Sequence, residues 1–81
     1  MMDRDTKRFI WAIIGNDVEE AKQMLLNGFN AWTFYQLNNG VERSFMDLAL
    51  KYADKYDDGS IATMIKYSDD LQAFRRAWGV V

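Results

Sequence analysis

IIGNDVEEAKQMLLNG, residues 13–28, decides how this chain folds. Ile13 and Ile14 close one apolar run, Gly15 and Asn16 are residue types that adopt the left-handed backbone at a helix end, and Asp17 is placed to cap a second helix with Glu20 as its reciprocal partner. Gly28 ends that helix in turn. At helical spacing Val18, Ala21, Met24 and Leu25 fall on one face, while Glu19, Glu20, Lys22, Gln23 and Asn27 fall largely on the other. The stretch reads as the hinge of a helix-turn-helix hairpin whose two helices pack antiparallel.

Upstream, Thr6 is placed to cap a first helix over about residues 7–14, where Phe9, Ile10, Ala12 and Ile13 repeat at three- and four-residue steps. A helix this short is marginal alone in water, since about 12 to 15 residues are needed, so packing must hold it. Downstream the helical period disappears in FNAWTFYQLNNGVER, residues 29–43. Aromatics crowd residues 31–37 and Asn38, Asn39 and Gly40 form a turn signal, which predicts an extended arm or short β-hairpin at about 30–43.

Ser44 then offers an N-cap, with Asp47 at the reciprocal position, for a longer helix to about Tyr56 whose stripe is Phe45, Leu48, Ala49, Tyr52 and Tyr56. Asp57, Asp58 and Gly59 break the pattern, and Ser60 is placed to cap a fourth helix carrying Ile61, Met64 and Ile65 up to Tyr67. Ser68, Asp69 and Asp70 introduce a last helix from Leu71 to Gly79, with Leu71, Phe74 and Trp78 on one face. The expected fold class is all-α: short antiparallel helix pairs, one extended arm or hairpin, and a C-terminal capping helix.

Composition narrows the chemistry. The chain has no cysteine and no histidine, which removes disulfides, the usual zinc sites, the Ser-His and Cys-His nucleophile pairs and the commonest general base. Neither a cofactor nor a metal is expected. With ten Lys and Arg against twelve Asp and Glu, for a net charge of −2, no basic footprint for nucleic acid stands out. MMDRDTKR at the start is charged and lacks the apolar core of a signal peptide, and no stretch is apolar and long enough to span a bilayer, so a soluble cytoplasmic protein is expected. At 81 residues it is one domain, burying only about 60 to 65% of its unfolded surface, a small margin that 15% aromatic residues partly offset.

An internal repeat is legible. RFIWAI, from Arg8 to Ile13, lies over FMDLAL, from Phe45 to Leu50, with Ala12 over Ala49 and Phe9 over Met46, and each copy is followed by a turn and a second helix. The period falls in the solenoid range. A small residue at the same place in each first helix lets the paired helix approach closely.

These residues resemble the ankyrin repeat family. SFMDLA, Ser44 to Ala49, is similar to its TPLHLA-like first helix, and NDVEEAKQMLLNG, Asn16 to Gly28, is similar to the remainder of a unit, with Leu25 and Leu26 near the leucine pair and Gly28 at the closing glycine. The resemblance covers two degenerate repeats, about residues 7–38 and 39–67, and leaves LQAFRRAWGVV, with a helix at about 69–79, to cap the open end of helices three and four in place of a third repeat. Copy one has Lys7 and Arg8 where the family opens with threonine and proline, the turn around Asp54 to Asp58 is longer, and the second helix of copy two lacks a leucine pair.

What the resemblance implies is a non-enzymatic protein–protein interaction module, since the arms of ankyrin modules project and bind partner proteins. Phe29, Trp32, Phe34, Tyr35 and Leu37 are more apolar groups than a short hairpin buries by itself, and they form the expected partner-binding set. The partner is another protein, of no identity legible here, and so compact a module suits a regulator or inhibitor of the kind a virus or phage encodes. The alternative is a structural homodimer in which a second copy covers an exposed apolar end. Core packing is the expectation for Trp11. Asp54, Asp57, Asp58 and Gly59 approach a calcium loop, but the third and twelfth positions would be Tyr56 and Ile65, so the pattern fails. Lys66, Arg75 and Arg76 are explained by the helix dipole, and most of the aspartates by capping.

Overall fold

A computed structural model describes residues 3–36 and 39–78. In chain order its elements are α1 (Arg4–Ile14), α2 (Val18–Leu26), β1 (Phe34–Gln36), β2 (Glu42–Ser44), α3 (Phe45–Tyr56), α4 (Ser60–Tyr67) and α5 (Leu71–Trp78). The protein is mostly helical, with a two-stranded antiparallel sheet in the expected arm. Leu37, Asn38 and the helix end expected at Gly79 lie outside the described residues.

Three helix ends share one hydrogen-bonding device. After α1, the Asn16 amide donates to the Ile13 carbonyl and the Asp17 amide to that of Ala12, at 3.1 and 2.7 Å. After α2, Gly28 donates to Leu25 and Phe29 to Met24, at 3.1 and 3.0 Å. After α3, Asp58 donates to Ala53 at 3.1 Å. Each reversal passes through one left-handed residue, Asn16, Gly28 or Asp57, with φ of 53°, 95° and 53°. Of the two residues expected to turn the first hairpin, Asn16 takes the left-handed backbone and Gly15 stays at φ −90°.

The helix starts correct three details. α1 begins at Arg4, not Lys7, because the Asp3 carboxylate accepts the Thr6 amide at 2.7 Å; Thr6 lies in the first turn and Asp3 is the cap. Asp17 does cap α2, accepting the Glu20 amide at 3.2 Å. Its own amide is already bound to Ala12, so the Glu20 carboxylate does not reach back and instead accepts from the Arg8 guanidinium of α1. Ser60 is the first residue of α4, not its cap: the Asp58 carboxylate accepts both the Ser60 amide, at 3.0 Å, and its hydroxyl, at 2.6 Å. Ser44 and Asp70 cap α3 and α5 as expected, accepting the amides of Asp47 and Ala73.

α1 packs on α2 and on α3, α2 on α4, and α3 on α4, so the two helix pairs lie side by side. One aromatic cluster joins them to the arm. Phe9 of α1 stacks on Phe29 at 4.7 Å between ring centroids and meets Phe45 of α3 edge-on at 5.3 Å; Phe29 and Tyr35 meet Phe45 at 5.5 and 5.1 Å. Such pairs add about 0.5–1.5 kcal/mol each beyond simple burial. Apart from the Tyr35 phenol, no polar side chain is buried among the described residues.

α5 packs chiefly on α2 and α4, the second helix of each pair, rather than closing the end of helices three and four. Fully buried Phe74 anchors it, with Trp78 5.1 Å from Phe74 and 5.8 Å from Tyr67. Trp11 departs from the expected core position and is 69% exposed. Phe9, Ala12 and Ile13 fill the inward side of α1, whereas Trp11 falls one turn after Lys7 and Arg8, on the outward side with Arg4.

Candidate interaction surface

The surface of interest is built on the loop between α2 and β1. Left-handed Gly28 redirects the chain out of α2, and Phe29 drops its ring onto Phe9. The Asn30 carboxamide oxygen then accepts the Trp32 amide at 3.0 Å, and the Thr33 hydroxyl donates to the Asn30 carbonyl at 3.0 Å, closing a tight local turn. Ala31, at the centre of that turn, is buried, while Trp32 beside it is 49% exposed. A buried residue on one side and a stacked ring two residues further back leave Trp32 presented on a fixed loop.

Beyond the turn, β1 and β2 pair antiparallel with Phe34 opposite Ser44, Tyr35 opposite Arg43 and Gln36 opposite Glu42. Tyr35 is 7% exposed, and burial raises its phenol above the ordinary tyrosine value. The hairpin turn is held by the Asn39 side chain, which accepts the Val41 amide at 3.1 Å across left-handed Gly40.

The five residues singled out from the sequence therefore divide. Phe29 and Tyr35 are turned into the aromatic cluster and fasten the arm to α1 and α3. Trp32 is the exposed aromatic of the set among the described side chains. Phe34 is placed in β1 opposite Ser44, and Leu37 lies outside the described residues.

Two open clefts adjoin the loop that carries Trp32. One, of about 370 Å³, is lined by Leu25, Phe29, Trp32 and Leu71 together with the polar groups of Asn30 and Asp69. The other, of about 570 Å³, is lined by Asp3, Arg4, Asp5, Gly28, Phe29 and Asn30. Gly28, Phe29 and Asn30 line both, so the two clefts flank the same loop. The Asp3 carboxyl is held below its ordinary value, chiefly by the Thr6 backbone amide.

Sequence reasoning missed Trp11 and Leu50 as exposed apolar groups, at 69% and 54%. Helical phase could have found both, since each lies on the side of its helix away from the buried residues. It also missed the contacts between turns, where the Tyr56 hydroxyl donates to the Ile14 carbonyl at 2.6 Å and the Asn16 side chain to Asp58 at 3.0 Å. No local signal marks those. Among the described residues no group of three or more carboxylates is close enough to hold a metal ion, and no helix is long and apolar enough to cross a membrane. Compared with protein-family models, with curated proteins and with solved structures, the chain has no significant match.

Proposed function

We propose that this chain is a small non-enzymatic module that binds another protein and occupies part of its surface, acting in the cytoplasm as a regulator or inhibitor of the kind a virus or phage encodes. One observation carries the reading: Trp32 stands half exposed at the edge of an open cleft of mixed apolar and polar lining, on a loop whose neighbours Phe29 and Ala31 are packed inward. Tryptophan is enriched among the few residues that carry most of the energy of protein–protein interfaces. In this reading Trp32 is the anchor, and Phe29 and Tyr35 hold the loop that carries it. Nucleic acid and membrane are not its partners.

The ankyrin resemblance supports the same reading. First helices α1 and α3 lie side by side, as do second helices α2 and α4, and Ala12 and Ala49, which coincide in the internal repeat, are both 3% exposed. Two features depart from a regular stack: Leu50 is exposed where its counterpart Ile13 is buried, and α5 lies over α2 and α4. The test is capture of the partner from the native host by the full chain. Trp32→Ala is expected to abolish capture while the circular dichroism spectrum stays helical, and unchanged capture overturns the reading.

A second reading, a homodimer that covers exposed apolar surface, is favoured by Trp11 on the outer side of α1. A monomer at every concentration in sedimentation removes it.

A further inference from the structure

We infer that the occupant of the two clefts flanking the loop that carries Trp32 is a basic peptide segment, one that sets an apolar residue against Leu25, Phe29 and Leu71 and brings lysine or arginine to the rim. The inference rests on the interaction-module reading and names the chemistry of the partner. Asp3 and Asp5 line one cleft and Asp69 the other. Among the described residues the ion pairs are Arg8 with Glu20 and Lys22 with Glu19, so these three carboxylates have no cationic partner there. Arg4 is the cation among the lining residues, and it leaves carboxylates in excess. The other cations of α1, Lys7 and Arg8, are not among the residues lining either cleft. A lysine or arginine entering here meets opposite charge and the exposed face of Trp32, where a cation is attracted to the ring as well. An acidic segment meets uncompensated like charge and is rejected.

Panning a random dodecapeptide library against the full chain tests this. The expected result is enrichment of peptides that combine lysine or arginine with an aromatic or branched aliphatic residue. Their binding weakens on the order of two- to tenfold in the Asp5→Asn/Asp69→Asn variant, weakens further as salt rises, and is lost in Trp32→Ala. Asp5 and Asp69 are chosen because Asp3 caps α1, and matching thermal melts of both variants with the parent confirm that each is folded. Enrichment of acidic or uncharged peptides, no enrichment at all, or affinity indifferent to Asp5→Asn/Asp69→Asn overturns the inference. Uncharged peptides that still require Trp32 sink the charge assignment alone and leave the interaction module standing; peptides indifferent to Trp32→Ala count against both. A dimer of the full chain that Trp32→Ala dissociates puts a second copy in the cleft, and that also overturns it.

Discussion

The side-chain amide of Asn16 donates a 3.0 Å hydrogen bond to the carboxylate of Asp58, tying the turn of the first helix pair to the turn of the second. Beside it the Tyr56 hydroxyl reaches the Ile14 carbonyl at 2.6 Å. Both bonds join residues 42 positions apart in the chain, and both act where α1 and α3 end. The two pairs are thus fastened by polar contacts at their turns as well as by the aromatic cluster.

Substitutions at the turns separate backbone from side-chain effects. Asn16→Gly loses the bond to Asp58 but also removes the β-carbon from the left-handed turn, whereas Asn16→Ala loses the bond and keeps a β-carbon there without the polar side chain that makes asparagine tolerant of that conformation, at about 1–2 kcal/mol relative to glycine. The expected order of stability is parent, then Asn16→Gly, then Asn16→Ala. Tyr56→Phe is expected to cost about 0.5–1.5 kcal/mol. Urea unfolding followed by circular dichroism measures all three.

Acid should loosen the same joint. Asp58 is held below the ordinary carboxylate value first by the Ser60 hydroxyl, then by the Asn16 side-chain amide and the Ser60 backbone amide. Because its folded value is depressed, its stabilising effect is complete above the unfolded value, near 3.8, and is lost as pH falls through the lower folded value. Asp3 and Glu19 are shifted in the same direction and add to the loss. The melting temperature is expected to stay level from pH 7 to about 5 as far as these groups decide it, then to drop below about pH 4. Asp58→Asn should make that drop shallower; an unchanged acid limb would show that Asp58 does not contribute to it.

The aromatic cluster and the exposed tryptophans should respond in opposite ways. Phe45→Ala removes the ring that Phe9, Phe29 and Tyr35 all touch, at about 3–5 kcal/mol, most of the stability of a domain whose total is about 5–15 kcal/mol and at this size near the lower end. Phe29→Ala is expected to be milder, at about 2–4 kcal/mol, since Phe29 is only partly buried. Trp11→Ala should stay within about 0.5 kcal/mol of the parent, and Trp32→Ala within about 1 kcal/mol. Thermal melts rank them, and a Trp32→Ala loss as large as that of Phe29→Ala would mean that Trp32 is a core residue.

Solvent access gives an independent check on the tryptophans. Iodide should quench the fluorescence of Trp11 and Trp32 readily and that of Trp78, packed on Phe74 and Tyr67, less. Comparing Trp11→Phe, Trp32→Phe and Trp78→Phe isolates each contribution, and equal quenching of all three would contradict the burial of Trp78.

Local chemistry made most of the helical framework legible in the sequence. Asn16, Gly28, Asp17 and Ser44 act within a few residues of themselves, so their roles as turn and cap follow from residue type and spacing, and the inward faces of α2 and α4 follow from a period that any amphipathic helix must show. The Asn38–Gly40 turn signal likewise placed the hairpin. What tertiary structure alone decided is where the surplus apolar groups go. The sequence presents Phe29, Trp32 and Tyr35 as equals in one aromatic arm, but Phe9 and Phe45, distant in the chain, accept Phe29 and Tyr35 and leave Trp32 outside. Trp11 is excluded from the core in the same way, because Phe9, Ala12 and Ile13 fill the inward side of α1. Burial is a competition for limited interior contact among residues far apart in sequence, and only the packed structure shows which of them fill it.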